Sequence, residues 1–289
     1  MWWPFSRRSR DRQPTPLSQP TPPAGPVSLD VAIVSDVGNV RDNNEDRGRS
    51  VHPGDEATLR EKGVLVLVAD GMGGHEAGDV ASTTAADVVA TRYFQIGGSP
   101  TQALRQAFVE ANARIRAAAT QTGREGMGTT CTALVLRGRD AFWSHVGDSR
   151  LYRLRGGRME RLTQDHSVVA EMVAEGMLTE EEARHHEQRN VITRALGIHP
   201  QADVALGGPI GVSEDDVYVL MSDGLYDLVT DDEIEAVLAG ASVHDAAQSL
   251  VDRAKERGGH DNVTVAVVRV GSGSGRQPAR ETAPAPALS

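Results

Sequence analysis

Apolar segments of strand length recur along this 289-residue chain, and several of them end in an aspartate. The clearest reads VLVLVADGMGGHEAG over residues 64–78, with six apolar residues, then Asp70, then three glycines among the next four residues. A continuous apolar run of this length, bounded by turn residues, predicts a buried strand. A strand-to-helix turn needs only one or two glycines, so we infer that something outside the chain approaches the backbone after Asp70.

The order of the segments predicts an α+β fold. Two apolar stripes at helical spacing lie between the second and third strand segments, and the later helix begins with Ser99 as N-cap and Pro100 as first residue. Further helices are expected within 165–189, over 230–239 and over 243–257. Because strands and helices fall in separate blocks, we expect antiparallel sheets covered by helices. The predicted strand segments are LDVAIVSD, GVLVLVAD, CTALVLRG, DAFWSHVGD, SRLYRLRGG, DVYVLMSD and DNVTVAVVRV.

Proline distribution predicts one folded domain, residues 27–270, between two flexible tails, residues 1–26 and 271–289. Seven of the fourteen prolines lie in the first segment and three in the last. Segments of this composition bury too little apolar area to offset the entropy lost on ordering. No apolar run approaches the roughly 18 residues of a membrane span, and the N-terminus lacks the apolar core of a signal peptide. We therefore expect no membrane span and a cytoplasmic location.

Charge is distributed unevenly along the chain. The terminal segments carry +3 and +1, so that the total of −10 leaves −14 on the predicted domain. A domain this acidic repels phosphate backbones, which disfavours nucleic-acid binding. Cys131 is the only cysteine, which excludes an internal disulfide and a cysteine-based zinc site.

Carboxylates stand at the ends of several predicted strands. We expect such residues to converge on one rim of a sheet, where their repulsion requires cations between them. Ligands that are all oxygen atoms suit Mg²⁺ or Mn²⁺ better than Zn²⁺. The residues are Asp70, Asp148 and Asp223 after strands, Asp261 before one, and Glu45 and Asp46 in RDNNEDR.

Two hard cations with a shared carboxylate favour hydrolysis of a phosphate ester, because they activate a water for in-line attack on phosphorus. Arg41, four residues before Glu45, is a candidate to hold the phosphoryl oxygens in a bidentate fork. Any one of the Asp-Gly pairs, taken alone, is most often a turn or a helix N-cap. The hypothesis of a cation-dependent hydrolase therefore depends on how many such carboxylates occur at strand ends in the chain. His145 and Cys131 are expected to be structural, and no GxxxxGK[ST] phosphate loop is present.

From about Leu29 to Val270 the chain resembles the metal-dependent Ser/Thr protein phosphatases of type 2C, the PPM family, in their short bacterial form. The matching segments stand in family order: RDNNED, VADGMGGHEAG, MGTTCTALV, HVGDSRLY, LTQDHS, ITRALG, LMSDGLYD and GGHDNVTVAVV. The resemblance implies a central antiparallel β-sandwich flanked by helices on both sides, a four-layer αββα fold. It also implies hydrolysis of phosphoserine and phosphothreonine by direct attack of a metal-bridging hydroxide, in opposition to a bacterial Ser/Thr kinase. Phosphorylated proteins are the expected partners, and the chain is expected to be a monomer.

The resemblance also implies roles for the residues that match the family motifs. Asp70 would bridge two tightly bound Mn²⁺ or Mg²⁺ ions, and Gly71 would contribute its carbonyl. Asp223 and Asp261 would complete the shell of one ion. The other ion would be held by Glu45 and Asp46, partly through waters.

Three further roles follow from the same resemblance. Arg41 would clasp the substrate phosphate, and Asp148 with Asp223 would hold a weaker third ion. Residues 166–194 would form a variable flap beside the site, suited to substrate selection.

The sequence departs from many eukaryotic members at Met72, where they carry a histidine proposed as general acid. The acid stays unassigned, although His75 and His260 are near in sequence. Two alternatives stay open. One is a catalytically inactive phosphatase fold that serves as a binding module, although no metal ligand is lost here. The other is a phosphatase of small phosphoesters or of a dedicated anti-sigma-antagonist protein.

Overall fold

Two antiparallel β-sheets form the centre of the computed structural model, which describes residues 27–271 except 75 and 125. One sheet has the strand order β1-β11-β10-β7-β8. The other has the order β2-β3-β5-β6-β9, with β4 paired to β3. In this part of the chain the strands are β1 (Ser28–Asp36), β2 (Asp46–Val51), β3 (Val64–Met72), β4 (Gly128–Thr129), β5 (Cys131–Arg137), β6 (Asp140–Val146), β7 (Arg150–Arg155), β8 (Arg158–Arg161), β9 (Ala205–Gly211), β10 (Val217–Met221) and β11 (Val263–Gly271).

Helices cover the outer face of each sheet. Leu65 and Leu67 of β3 belong to a core shared with the second and third helices, whereas Val66 and Val68 belong to the core between the sheets. This alternation is what a strand buried on both faces produces. The predicted αββα architecture is confirmed. The helices are α1 (Glu56–Lys62), α2 (Glu76–Gln95), α3 (Pro100–Thr122), α4 (Val168–Ala174), α5 (Glu180–Arg184), α6 (Asp223–Tyr226), α7 (Asp231–Gly240) and α8 (Val243–Glu256).

The strongest local signals in the sequence were read correctly. Ser99 caps α3, its side chain accepting a hydrogen bond from the Gln102 N–H, and Pro100 is the first helical residue. Two edge strands of the second sheet, β2 and β9, were missed. Edge strands need no continuous apolar run, and β9 contains both glycine and proline. The stretch over 165–189 contains only the short helices α4 and α5.

The two predicted tails lie almost wholly outside the described residues. Gly271, placed in the C-terminal tail by the sequence analysis, ends β11 and pairs with Ser28. Among the helices of the described part of the chain, none combines the length and the apolarity needed to cross a membrane.

Gly71, the glycine directly after Asp70, makes room for the chain itself. A Cβ on Gly71 would overlap the backbone carbonyl of Gly78 at the start of α2 and lie 2.7 Å from the Glu45 carbonyl oxygen. Packing within the chain is thus enough to require glycine at position 71, and an approach of ions to the Gly71 carbonyl stays a prediction. Here β3, α2 and the segment before β2 meet backbone to backbone, which only glycine permits.

Gly71→Ala should therefore destabilise the fold by about 2 kcal/mol or more, because an added methyl group in a packed site forces the backbones apart. Urea unfolding in EDTA measures this cost without any contribution from bound metal. Gly54→Ala is the matched control, since a Cβ on Gly54 meets nothing within 4 Å. Its unfolding free energy should stay within about 0.5 kcal/mol of the parent. Equal stability of the two variants would contradict the packing argument.

Candidate metal centre

Five aspartates from both sheets lie close together at one end of the sandwich. Asp46, the first residue of β2, pairs in register with Asp70 on β3. Burial raises the pKa of Asp70 well above its ordinary value, and the nearby carboxylates of Asp46, Asp223, Asp148 and Asp261 raise it further. The sequence analysis placed these residues on the rim of one sheet. Instead, Asp46 and Asp70 belong to the second sheet, Asp223 and Asp261 adjoin β10 and β11 of the first, and Asp148 lies in the turn between β6 and β7, which joins the two sheets.

Asp46 is the most constrained of the five. It is 1% exposed, and its Oδ2 accepts a 2.7 Å hydrogen bond from the Ser222 hydroxyl. Its other oxygen, Oδ1, is buried and has no hydrogen-bond partner among the described residues. Burial raises the pKa of Asp46 to about 6. A buried carboxylate oxygen left without a donor is costly, and a bound cation is one physical means of satisfying it.

Asp70 is held through its backbone. Its N–H donates to Thr130 Oγ1 at 2.9 Å, and its carbonyl accepts bonds of 2.8 Å from Thr129 Oγ1 and from the Thr130 N–H. The next N–H, that of Gly71, donates to the Glu45 carbonyl. The position of the Asp70 carboxylate is therefore fixed by strand pairing and by two threonines that the sequence analysis did not single out.

Asp223 and Asp148 influence each other across the site. β10 ends at Met221, so Asp223 is the first residue of α6 rather than the last of a strand. Burial raises its pKa well above the ordinary range, with Asp148 as the next cause. Burial, and after it Asp165, raises the pKa of Asp148 to about 7. The hydroxyl of Tyr226 donates to the Asp148 carbonyl at 3.2 Å.

The loop between β1 and β2 carries Arg41 and Glu45. The Arg41 guanidinium forms a 2.8 Å salt bridge with Asp261, and its side chain is 52% exposed. Asn262 anchors the loop. Its amide nitrogen donates to the carbonyls of Val37 and Asn43 at 2.9 Å each, and its amide oxygen accepts from the Glu45 N–H at 2.8 Å. Asn262 stands beside Asp261 in the same motif, but its role depends on contacts that the sequence alone does not reveal.

The oxygen-rich donor set fits hard, hydrated cations. Within the described residues, no group of three or more His, Cys, Asp or Glu side chains is arranged to hold a metal ion as it stands. Mg²⁺ does not need such an arrangement, because it keeps several of its waters and takes one or two carboxylates. The orphaned Asp46 oxygen and the mutual repulsion of the aspartates indicate where positive charge is required.

A cavity of about 640 Å³ adjoins this end of the sandwich. Asp148 and Asp223 line it on one side, together with His260, and residues of the 166–194 stretch, including Val169 and Arg189, line the other. Met72 ends β3, and His75 lies outside the described residues. The site thus opens into a space large enough for part of a polypeptide.

Comparison with known proteins agrees with this geometry. The family model described as "Protein phosphatase 2C" matches residues 50–258. Protein phosphatase PhpP of Streptococcus pneumoniae is 33% identical over 245 residues, which are 83% of this chain and 97% of the relative. Serine/threonine protein phosphatase PstP of Mycobacterium tuberculosis is 39% identical over 244 residues, 84% of this chain and 45% of the relative.

Solved structures show the same fold. The crystal structure of the Mycobacterium tuberculosis serine/threonine phosphatase PstP/Ppp has a TM-score of 0.76 at 38% identity and covers 85% of this chain and 99% of its own. A PstP catalytic domain in complex with two manganese ions has a TM-score of 0.72 at 37% identity, with the same coverage. The chain therefore belongs to the protein phosphatase 2C family.

Proposed function

We propose that this chain is a Mn²⁺- or Mg²⁺-dependent protein phosphatase that hydrolyses phosphoserine and phosphothreonine and opposes a Ser/Thr kinase in the cytoplasm. The observation that carries the proposal is the buried, unpartnered Oδ1 of Asp46 among four further aspartates. Relatives named serine/threonine phosphatases, and a neighbour bound to two manganese ions, support it.

The residues that would hold two cations are Asp70 and the Gly71 carbonyl, Asp223 and Asp261, and Glu45 and Asp46. Asp148, beside Asp223, is the candidate for a third and weaker ion. When bound, such cations polarise the phosphoryl oxygens and lower the pKa of water to a value useful at neutral pH.

The chain's own contribution is to position these groups before substrate arrives. Ser222 occupies Oδ2 of Asp46 and leaves Oδ1 without a donor. Asn262 fixes the loop that carries Arg41. Because its pair with Asp261 is partly exposed, the Arg41 guanidinium is available to exchange that carboxylate for a substrate phosphate.

The adjoining cavity supports a polypeptide rather than a small phosphoester as the substrate. Its lining joins apolar side chains, such as Val169 and Val229, to charged ones, such as Arg189 and Asp227. In a protein substrate, the residues that flank a phosphorylated serine would make apolar and charged contacts in this cavity. A small phosphoester has no such residues and would not contact it.

The direct test is hydrolysis of a phosphothreonine peptide. Activity should require Mn²⁺ or Mg²⁺, vanish in EDTA, and fall by orders of magnitude in Asp70→Asn, because the variant loses a shared ligand charge. Asp30→Asn, an exposed aspartate on β1, is the matched control and should keep parental kcat. Since the change also removes repulsion, the metal-free Asp70→Asn protein should melt no lower than the parent. Full turnover in chelator would overturn the proposal.

Stabilisation by Mn²⁺ should grow with pH. In the metal-free fold, Asp46 and Asp148 have pKa values raised to about 6 and about 7. The folded state therefore keeps protons that the unfolded chain releases, and this contribution to stability is lost as the pH rises from about 4 to about 7. Mn²⁺ must displace those protons at low pH, so its binding strengthens as the pH rises through this range.

The measurement is the difference in Tm between Mn²⁺ and EDTA at each pH. It should be small near pH 5 and increase as the pH rises through about 6 and about 7, the pKa values of Asp46 and Asp148. Taking the difference cancels the titration of His145, whose pKa burial lowers to about 3 in the fold. A difference that does not change with pH would show that these carboxylates do not bind the metal.

Arg41→Ala should raise KM on the order of tenfold, the equivalent of about 1.4 kcal/mol for one charge-assisted contact to phosphate. The matched control is Arg139→Ala, which breaks a comparably exposed pair with Glu214. Arg139 precedes β6, whereas Asp148 of the acidic centre follows it. Mn²⁺ affinity, measured by calorimetry, should not fall in Arg41→Ala, since the variant frees Asp261. Unchanged KM with weaker Mn²⁺ binding would mean that Arg41 only positions Asp261.

A further inference from the structure

A second cavity, of about 370 Å³, lies on the other side of the segment that precedes α4. None of its lining residues belongs to the proposed metal ligands. Trp143, Leu162 and Leu206 give it apolar walls, and His166, Glu171 and Arg194 contribute polar groups. The established family activity assigns nothing to this space.

His166 carries an unresolved conflict between hydrogen-bond donors. It is 8% exposed, and the Gly147 N–H donates to its Nδ1 at 3.1 Å. Its Nε2 lies 3.5 Å from Nη1 of Arg194, which is also a donor. A neutral imidazole has one acceptor nitrogen, so it cannot accept from both groups. The shorter, backbone contact fixes Nδ1 as the acceptor and places the ring hydrogen on Nε2.

Two N–H groups therefore point toward each other at the cavity, one on His166 Nε2 and one on Arg194 Nη1. Protonation of His166 does not remove the conflict, because it would add a third donor opposite the Gly147 N–H. An oxygen atom that accepts from both N–H groups does remove it.

The guanidinium of Arg194 is available for such an acceptor. Its Nη1 pairs with Asp203 at 3.0 Å, but the Asp203 side chain is 75% exposed. Exposed pairs of this kind contribute little and exchange readily.

The charges around the cavity limit the ligand to a single negative charge. Asp165 is already neutralised by Arg150, whose Nε donates to Oδ1 at 3.3 Å and whose Nη2 donates to Oδ2 at 2.8 Å. Glu171 and Asp203 are carboxylates near Arg194, and they repel a dianion such as phosphate more strongly than a monoanion.

The size and walls of the cavity favour an organic ligand over water alone. At about 30 Å³ for each water, the space corresponds to about twelve molecules, and two donors satisfy one or two of them. A flat apolar body would instead lie against Trp143 and Leu206. We propose that this cavity is a binding site for a small monocarboxylate, whose oxygens accept from His166 and Arg194 and whose apolar body contacts Trp143.

Binding there would be detected at Gly147. The His166 N–H donates to the Gly147 carbonyl at 2.7 Å, in addition to the ring contact with the Gly147 N–H. Gly147 has φ +107°, and a Cβ there would lie 2.6 Å from the Thr130 side chain, so it has little room to adjust. A change at His166 Nε2 is therefore transmitted to the residue directly before Asp148.

The experiment is an NMR titration of the full chain with benzoate, with benzamide and inorganic phosphate as comparison probes. Benzoate should shift the Trp143 indole and Gly147 amide resonances and bind more tightly than either comparison probe. Arg194→Gln should weaken benzoate on the order of tenfold, as expected for one charge-assisted contact. Arg105→Gln, an exposed arginine on α3, should leave it unchanged. The readout is binding, so it does not depend on phosphatase activity.

Imidazole ¹⁵N shifts of the parent protein provide a second test that needs no variant. They should show neutral His166 with hydrogen on Nε2. A hydrogen on Nδ1 would overturn the inference, as would a shift of the Trp143 indole that phosphate induces at lower concentration than benzoate. If benzoate causes no shift, or binds Arg194→Gln equally well, water alone satisfies the two donors and the inference is wrong.

Discussion

The repulsion among five clustered aspartates, of which Asp46 and Asp148 are buried, is the constraint on which the rest of this structure depends. Burial alone raises the pKa of Asp46, Asp70, Asp148 and Asp223, and each carboxylate then raises its neighbours. Because the acidic end of the sandwich is destabilising, the fold must gain its stability from other parts of the molecule. Three hydrophobic clusters provide it, one between the sheets and one beneath the helices on each side. Their apolar burial stabilises the sandwich independently of the acidic end.

The acidic end also requires backbone segments of both sheets to lie close together, and glycine residues allow this. Gly71 allows β3 to touch α2 and the segment before β2, and Gly48 allows β2 to lie against Ile33 of β1, where a Cβ would overlap the isoleucine side chain. These contacts bring the edges of the two sheets together beside Asp46. The glycine-rich signal in the sequence was therefore real, but at Gly71 it reports packing within the chain.

The sequence predicts most of the fold and much less of the site's support. Continuous apolar runs such as that of β3, and the cap of α3, have local causes, so local patterns reveal them. Edge strand β2 has polar sequence and was missed. Ser222 and Asn262 were missed because their importance comes from partners 176 and 219 residues away, which no local pattern records. The aspartates were found because several strand ends shared one residue type.

Backbone hydrogen bonds hold the base of the 166–194 stretch in place beside the acidic centre. Two backbone hydrogen bonds close it, from the Thr193 N–H to the His166 carbonyl at 2.8 Å and from the Val168 N–H to the Val191 carbonyl at 2.9 Å. Asp165, next to His166, holds Arg150 and faces both cavities. Since these contacts use backbone groups and one buried ion pair, the helices beyond the base can change sequence without moving Asp148. The 166–194 stretch and the acidic centre are thus physically separable, although only a few residues lie between them.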